Sequence, residues 1–188
     1  MIFQIESTGN TVWISAFDTK PQNMDELLGD LREKAPDVTT QLFDLERVPG
    51  SRYLLLATYN AIKSFGSKQP IARTLSMEIL LYVAATRQIQ DAVVRVGVTD
   101  TTRRAAAVIV GKSKDRVLKA AEVLRGLLRT ASVDELIDKW DPTRIESIRS
   151  NFRIGDKELS ATSRKNETLS SAIQRLAVER SAILGIKK

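Results

Sequence analysis

The residues with the clearest chemical potential form a short run after an apolar segment, Val110-Gly111-Lys112-Ser113. A glycine, a lysine and a serine in this order close the phosphate-binding loops of many nucleotide-binding proteins, whose backbone N–H groups surround the phosphates. Such a loop also needs a glycine five residues before its second one, and Ala106 stands there, inside a predicted strand. The sequence therefore favours a strand-to-helix turn capped by Ser113 and leaves phosphotransfer at this run as a minor alternative.

The chain contains no histidine and no cysteine among its 188 residues. This removes the commonest general base, disulfides, thiolate chemistry and every zinc site that uses sulfur. The acidic residues are scattered and form no cluster at metal-ligand spacing. We therefore expect a protein that is not an enzyme and that needs no cofactor and no metal.

Positive charge is concentrated in the middle of the chain. The formal net charge is +6, and residues 52–130 hold 14 Lys/Arg against 5 Asp/Glu, whereas residues 1–51 hold 4 against 9. A basic region of this kind attracts polyanions and accelerates their capture. RNA, DNA or an acidic protein is the expected partner.

Several of these basic residues lie on or between two consecutive predicted helices, where they could line one basic groove. They are Lys63, Lys68, Arg73, Arg87 and Arg95. Their side chains would contact phosphates, while Asn60 and Gln88 could bind bases or riboses. The alternative is a solvated basic face without a ligand.

Two other residue types have more than one interpretation. Tyr53, Tyr59 and Tyr82 could stack on unpaired bases, but Tyr53 and Tyr82 lie on apolar stripes, which favours core packing for those two. Glu78 lies inside an otherwise apolar helix, and burial without a partner would be costly. We expect it to pair with an arginine, with a functional carboxylate as the alternative.

The elements that position these residues begin with a hairpin and a short helix. Ile2 to Glu6 and Val12 to Phe17 are predicted strands around a polar connection. An amphipathic helix follows from a capping box at Asn23 and Glu26 and ends at Pro36. A third strand runs from Thr40 to Glu46.

The middle of the chain predicts two helices, a strand and a further helix. One helix covers Ser51 to Phe65, and the longest runs from an N-cap at Thr74 to about Val96, before Gly97. Ala105 to Val110 is a continuous apolar run that fits a buried strand. A further helix begins after Ser113.

The last third changes to an all-helical pattern. Ser132 and Glu135 form a second capping box, Asp141-Pro142 opens another helix, and a final helix covers about Leu169 to Leu184. The predicted fold class is α/β (α+β), a small mixed sheet packed by helices with a helical C-terminal segment. We expect one domain, with residues 1–130 as the α/β core and residues 131–188 as helices packing on it.

Three stretches of the sequence resemble a known family. They are Asn60-Ala61, the run Ile71-Ala72-Arg73-Thr74-Leu75-Ser76-Met77-Glu78-Ile79-Leu80-Leu81-Tyr82, and Arg87-Gln88-Ile89-Gln90-Asp91-Ala92 with Gly97. This pattern resembles the PRPK-binding-protein family, and the similarity extends over most of the chain. The family supplies the tRNA-binding subunit of the KEOPS complex, and the chain looks like an archaeal member.

The resemblance implies a subunit without catalysis that binds tRNA, including its 3′ CCA end, and the small atypical kinase of KEOPS. It would support threonylcarbamoyladenosine modification of tRNA. The implied RNA contacts are Asn60, Lys63, Arg73, Arg87 and Gln88. The implied kinase contact is the last helix, through Ile173, Leu176, Ile183 and Leu184, unless that stripe only closes the protein's own core.

A rival interpretation is an adaptor that regulates the kinase without binding RNA, its positive charge serving an acidic protein partner instead. No apolar run approaches the roughly 20 residues of a membrane span, and the N-terminus lacks the pattern of a signal peptide. We therefore expect a cytoplasmic protein without a membrane partner.

Overall fold

A four-stranded sheet forms the centre of the protein in the computed structural model, which describes residues 1–185 apart from the side chain of Asp25. The strands are β1 (Ile2–Ile5), β2 (Asn10–Phe17), β3 (Val38–Asp44) and β4 (Ala105–Gly111), in the order β1-β2-β4-β3. All three pairings are antiparallel, so the sheet is antiparallel throughout rather than mixed. The α+β fold class is confirmed, and β3 and β1 are the edges.

Helices cover both faces of this sheet. They are α1 (Met24–Lys34), α2 (Ser51–Phe65), α3 (Leu75–Ala84), α4 (Ile89–Val96), α5 (Lys114–Leu128), α6 (Pro142–Phe152), α7 (Asp156–Thr162) and α8 (Leu169–Leu184). Short 3-10 turns occupy Glu6–Thr8, Leu45–Arg47 and Asp134–Asp138. The elements from the first hairpin to α2, and β4, α5, α6 and α8 after them, follow the predicted order, whereas α7 was not predicted as a separate helix.

The alternation of side chains along the strands divides the core into two layers. In β4, Ala106, Val108 and Val110 face the cluster formed with α2, α3 and α8, whereas Ala107 and Ile109 face the cluster formed with α1 and α5. Both faces of β4 are buried, which explains its uninterrupted apolar sequence. Burying a side chain such as Ile109 stabilises the fold by about 1.5–3 kcal/mol.

The predicted long helix from Thr74 to Val96 is wrong in one respect, because the chain breaks it after Ala84. Ala85 adopts φ 51°, and the N–H of Thr86 bonds back to the carbonyl of Leu81 at 3.1 Å. The break re-orients α4 so that Ala92 and Val96 are buried while Val93 is exposed. In a continuous helix, the burial of these three residues would follow the same 3.6-residue period as the residues of α3 before them.

The predicted N-caps are found at three helices and are absent at two other predicted helix starts. Thr74, Ser113 and Asp141 each accept a hydrogen bond from the first turn of their helix, as predicted. Asn23 instead bonds the Glu26 side chain at 3.2 Å and caps no backbone group. The second predicted box, at Ser132, starts no α-helix: a 3-10 turn follows at Asp134–Asp138 with Val133 as its N-cap, and the Val133 N–H bonds the Ala16 carbonyl of β2 at 2.7 Å.

The start of α2 is held by the C-terminal segment. Gly50 adopts φ 94°, and a Cβ there would lie 2.6 Å from the Gln174 side chain of α8. The Asp138 carboxylate supplies the missing cap, accepting hydrogen bonds from the Ser51 N–H at 2.9 Å and hydroxyl at 2.6 Å. Residues 131–185 therefore help to position α2, while the division of the chain at residue 130 stays a prediction.

Candidate functional site

The predicted RNA-binding residues lie on a helical hairpin formed by α2 and α3 and on the segment after it. The Tyr53 hydroxyl, near the start of α2, donates to the Val83 carbonyl at the end of α3 at 2.8 Å. Ser64, near the end of α2, donates to Glu78 in the first turn of α3 at 2.6 Å. The two helices are therefore antiparallel, and each end of the hairpin brings the end of one helix to the start of the other.

Tyr53 and Tyr82 are core residues, as their apolar stripes predicted. Their exposed fractions are 0% and 2%, and the Tyr53 ring meets Phe152 edge to face with centroids 5.4 Å apart. Burial raises the pKa of the Tyr53 phenol far above its usual range, partly opposed by a hydrogen bond with Ser181. Neither ring is available for stacking on a base, whereas Tyr59 is half-buried.

Glu78 organises the loop that leads into α3, and the expectation of an arginine partner is wrong. Its side chain is completely buried and accepts hydrogen bonds from the Ala72 N–H at 2.6 Å, the Ile71 N–H at 3.3 Å and the Ser64 hydroxyl. A buried carboxylate is tolerated when its oxygens receive such donors. Glu78 therefore fixes the backbone just before Arg73.

The first group of predicted RNA contacts lies at this end of the hairpin. Lys63 is exposed near the end of α2, Asn60 is half-buried one turn earlier, and Arg73 is exposed before α3. The Lys63 ammonium lies 5.5 Å from the centre of the Tyr59 ring. Within residues 1–185, Lys63, Lys68 and Arg73 form no ion pair. We call Asn60, Lys63, Lys68 and Arg73 the hairpin-end group.

The second group lies beyond the other end of α3. Arg87 and Gln88 are exposed in the turn before α4, and Arg87 donates to the Leu184 carbonyl at 3.2 Å. The 10 residues of α3 span about 15 Å at 1.5 Å per residue. The predicted residues therefore form two groups rather than one groove, because α3 separates them.

The second group borders a small cationic cleft that the sequence did not predict. Its volume is about 300 Å³, and its lining includes Arg95, Arg153 and Arg180. Arg180 is paired with Glu158 at 2.7 Å, and Arg95 donates to the Ala84 carbonyl at 3.4 Å. Arg153 ends α6 with φ 52° and is part of this lining. Position 153 itself carries neither glycine nor asparagine, the residues that usually mark such a conformation.

The predicted kinase contact divides between core and surface. Ile173, Leu176 and Leu184 are 0%, 1% and 7% exposed and belong to the core cluster with α2 and α3, whereas Ile183 is 45% exposed. The alternative that the stripe closes the protein's own core therefore holds for the first three residues. Ile183 is the member of this set that presents its side chain to solvent.

The Gly111-Lys112-Ser113 run has structural contacts that explain each of its residues. A Cβ on Gly111 would lie 2.9 Å from side-chain atoms of Val117 and Val38, so glycine is needed for close packing. Lys112 donates to the Thr8 carbonyl at 2.7 Å, and Ser113 caps α5. These contacts fit the strand-to-helix turn.

Neither a metal-binding cluster nor a membrane span is found in the described part of the chain. Among the side chains that the structure describes, no group of three or more His, Cys, Asp or Glu could hold a metal ion. None of the helices in this range is both long and apolar enough to cross a membrane.

Comparison with known proteins gives one finding. A family model described as kinase binding protein CGI-121 matches residues 19–184, which run from just before α1 to the last residue of α8. The match includes both groups of predicted RNA contacts and the helix predicted to meet a kinase. No curated protein matches the chain.

Proposed function

The chain belongs to the CGI-121 family of kinase-binding proteins, and from this premise we propose that it is a non-catalytic adaptor that joins a kinase to tRNA. The kinase is the small atypical kinase of KEOPS, and the bound RNA includes the single-stranded 3′ CCA end. We propose that the adaptor supports threonylcarbamoyladenosine modification and that it is an archaeal-type member, which the resemblance of residues 71–82 supports.

The observation that carries the RNA half of the proposal is the hairpin-end group. Lys63, Lys68 and Arg73 are exposed and lack ion pairs within residues 1–185, so a phosphate would meet cations whose charge is not already neutralised. Glu78 holds the loop before Arg73 in place, which lowers the entropy lost when RNA binds. Asn60, one turn before Lys63, supplies a polar side chain for a base or ribose.

The second group adds contacts at a distance from the hairpin-end group that suits an extended single strand of RNA. The roughly 15 Å between the ends of α3 corresponds to a few nucleotides of single-stranded RNA, as a CCA end provides. Arg87 and Gln88 are placed there on the exposed turn before α4. The two groups together would contact the RNA at two points along its backbone.

The kinase contact is proposed on the exposed face of α8 around Ile183. The family description supports a kinase partner, and Ile183 is a large apolar side chain that is 45% exposed. Burial of such a side chain at the centre of an interface contributes to affinity. The buried residues Ile173, Leu176 and Leu184 would anchor this helix in the core.

Mechanistically, the chain contributes binding energy rather than chemistry. A subunit that holds tRNA and the kinase together raises the effective concentration of the RNA at the modifying machinery. Weak individual contacts are sufficient for this role. The rival function, a kinase regulator that does not bind RNA, would need an acidic protein partner for the hairpin-end group.

Charge neutralisation tests the RNA half. The double variant Lys63→Gln/Arg73→Gln should bind tRNA about tenfold more weakly or worse, and the slope of log K against log salt should fall by about two. The matched control is Lys114→Gln/Lys119→Gln, which removes the same charge from exposed positions of α5 on the opposite face of the sheet.

Equal losses in both double variants would mean that diffuse charge, not this site, attracts the RNA. Binding of the kinase by the Lys63→Gln/Arg73→Gln protein should be unchanged. If the wild-type protein binds the kinase but no tRNA, the regulator without RNA binding is the correct function.

A further inference from the structure

The edge strand β3 carries backbone groups without partners. The N–H of Leu45 bonds the Arg104 carbonyl at 3.0 Å, and the register pairs Thr40 with Ile109 and Leu42 with Ala107. Because bonded and non-bonded pairs alternate along an antiparallel ladder, Thr40 and Leu42 direct their backbone groups away from β4. These groups therefore point to the open edge of the sheet.

Some of the backbone N–H and carbonyl groups at this edge already have hydrogen-bond partners. The Leu42 carbonyl accepts from the Gln41 side chain at 3.1 Å, and the Val38 N–H bonds the Ala35 carbonyl at 3.4 Å. Within residues 1–185, the N–H and carbonyl of Thr40, the N–H of Leu42 and the carbonyl of Val38 have no hydrogen-bond partner. Such a row is a template for an added strand.

A groove of about 700 Å³ runs along this edge between the two helical layers. One wall is formed by Met24 and Leu28 of α1, and the other by Leu75 and Met77 of α3 with Val93 of α4. The exposed Ile89, at 47%, lies one turn before Val93 and continues the apolar surface beyond the groove. An extended segment in the groove would meet apolar side chains on both of its faces.

The charge of the groove selects among possible occupants. Arg32 is the one charged residue of its lining within the described part of the chain, and the opposite wall begins at the N-terminus of α3, which favours negative charge. A single cation and apolar walls do not suit an RNA backbone, which needs several phosphate contacts. They suit a segment that is mainly apolar and carries a few carboxylates.

We propose that this groove binds an extended, acidic segment of a protein partner, which adds to the sheet as a fifth strand beside β3. Backbone hydrogen bonds to Thr40 and Leu42 hold the segment, and the apolar walls select its side chains. The site shares no residue with the exposed face of α8 or with the hairpin-end group, although its wall begins at Thr74, next to Arg73. It gives the adaptor a third binding surface beyond its proposed function.

The probe is a capped octapeptide with two aspartates at each end and four valine or threonine residues between them. Titration followed by backbone NMR should perturb β3 and slow the exchange of the Thr40 and Leu42 amides. A peptide with lysines in place of the aspartates should bind several-fold more weakly. N-methylation of a central peptide bond should reduce binding by about fivefold or more, because it removes a strand hydrogen bond.

Two protein variants test the same contacts from the other side. Thr40→Pro removes an N–H that faces the open edge and leaves the ladder to β4 intact, so it should weaken peptide binding by about fivefold or more. Gln4→Pro is the matched control, because Gln4 lies on the other edge strand, where the same alternation directs its N–H outward. Arg32→Glu should weaken binding of the aspartate peptide and strengthen binding of the lysine peptide.

Three results would overturn the proposal. The first is an aspartate peptide that, at millimolar concentration, leaves the Thr40 and Leu42 amides unchanged. The second is equal binding of both peptides to wild type, which would remove the argument from charge. The third is protection of these amides by tRNA or by concentration-dependent self-association instead of by the peptide, which would assign the edge to RNA or to a second copy.

Discussion

Replacement of Glu78 tests how the loop before α3 is held. Its buried carboxylate accepts three hydrogen bonds, from Ser64 and from the backbone N–H groups of Ile71 and Ala72. Glu78→Gln keeps the shape of the side chain but turns one acceptor oxygen into an NH₂ group that faces a donor. Glu78→Ala removes all three hydrogen bonds and leaves a cavity.

The expected magnitudes follow from the hydrogen bonds that each variant removes. A buried group left unsatisfied costs about 1–3 kcal/mol, so Glu78→Gln should lower the free energy of unfolding by about 2–3 kcal/mol. Glu78→Ala should lower it by about 3–5 kcal/mol, since a cavity adds to the missing hydrogen bonds. Ser64→Ala, which removes one of the three donors, should cost about 1 kcal/mol.

Urea unfolding of these variants measures the changes in stability, and amide exchange locates them. The N–H groups of Ile71 and Ala72 should exchange faster in Glu78→Gln than in wild type. Asp91→Asn is the matched control, because Asp91 is an exposed carboxylate on α4 and its loss should cost less than about 0.5 kcal/mol. A Glu78→Gln protein as stable as the control, with unchanged exchange at both amides, would refute this role of Glu78.

Three further outcomes are expected elsewhere in the molecule. Arg144→Met should lower the free energy of unfolding, measured in urea, by about 3 kcal/mol or more. The buried guanidinium donates to four backbone carbonyls, which would lose their hydrogen-bond partner. A loss below about 1 kcal/mol would contradict this prediction. The hydrogen bond from Arg175 lowers the pKa of Glu167 below 4.5, so the stability from this pair is present above that pH and is lost as the pH falls through the lowered pKa. Glu167→Gln should therefore show a smaller fall in stability below pH 4.5 than wild type, and identical acid profiles would count against the pair. Ile183→Glu should weaken kinase binding at least tenfold without loss of stability. Leu169→Glu, at a similarly exposed position at the other end of α8, should leave kinase binding unchanged. The opposite pattern would place the kinase interface at the start of α8 instead.

The fold was predictable where one local rule decides the structure. Thr74, Ser113 and Asp141 start helices because their side chains cap the first turn, and β4 is central because its run of apolar residues is buried on both faces. The break at Ala85 was missed because neither glycine nor proline marks it. Tertiary packing of Ala92 and Val96 overrides the continuous helical pattern there.

The candidate site was predictable by residue type but not by arrangement. The sequence shows the basic residues on and around the two helices. Their separation into two groups at opposite ends of α3 depends on the antiparallel packing of α2 and α3, which the sequence does not show. Burial of Ile173 and Leu176 depends on where α8 packs, which an amphipathic pattern alone does not decide. The contacts of Glu78 with Ile71 and Ala72 could not be read from composition, because backbone donors carry no sequence signal.

Binding of the purified protein to full-length tRNA and to tRNA without its CCA end, at two salt concentrations, tests the central claim most directly. The proposed function predicts that full-length tRNA binds, that binding weakens steeply with salt, and that removal of the CCA end greatly reduces it. Equal binding of the two RNAs, or an affinity for tRNA that does not change with salt, would contradict the claim.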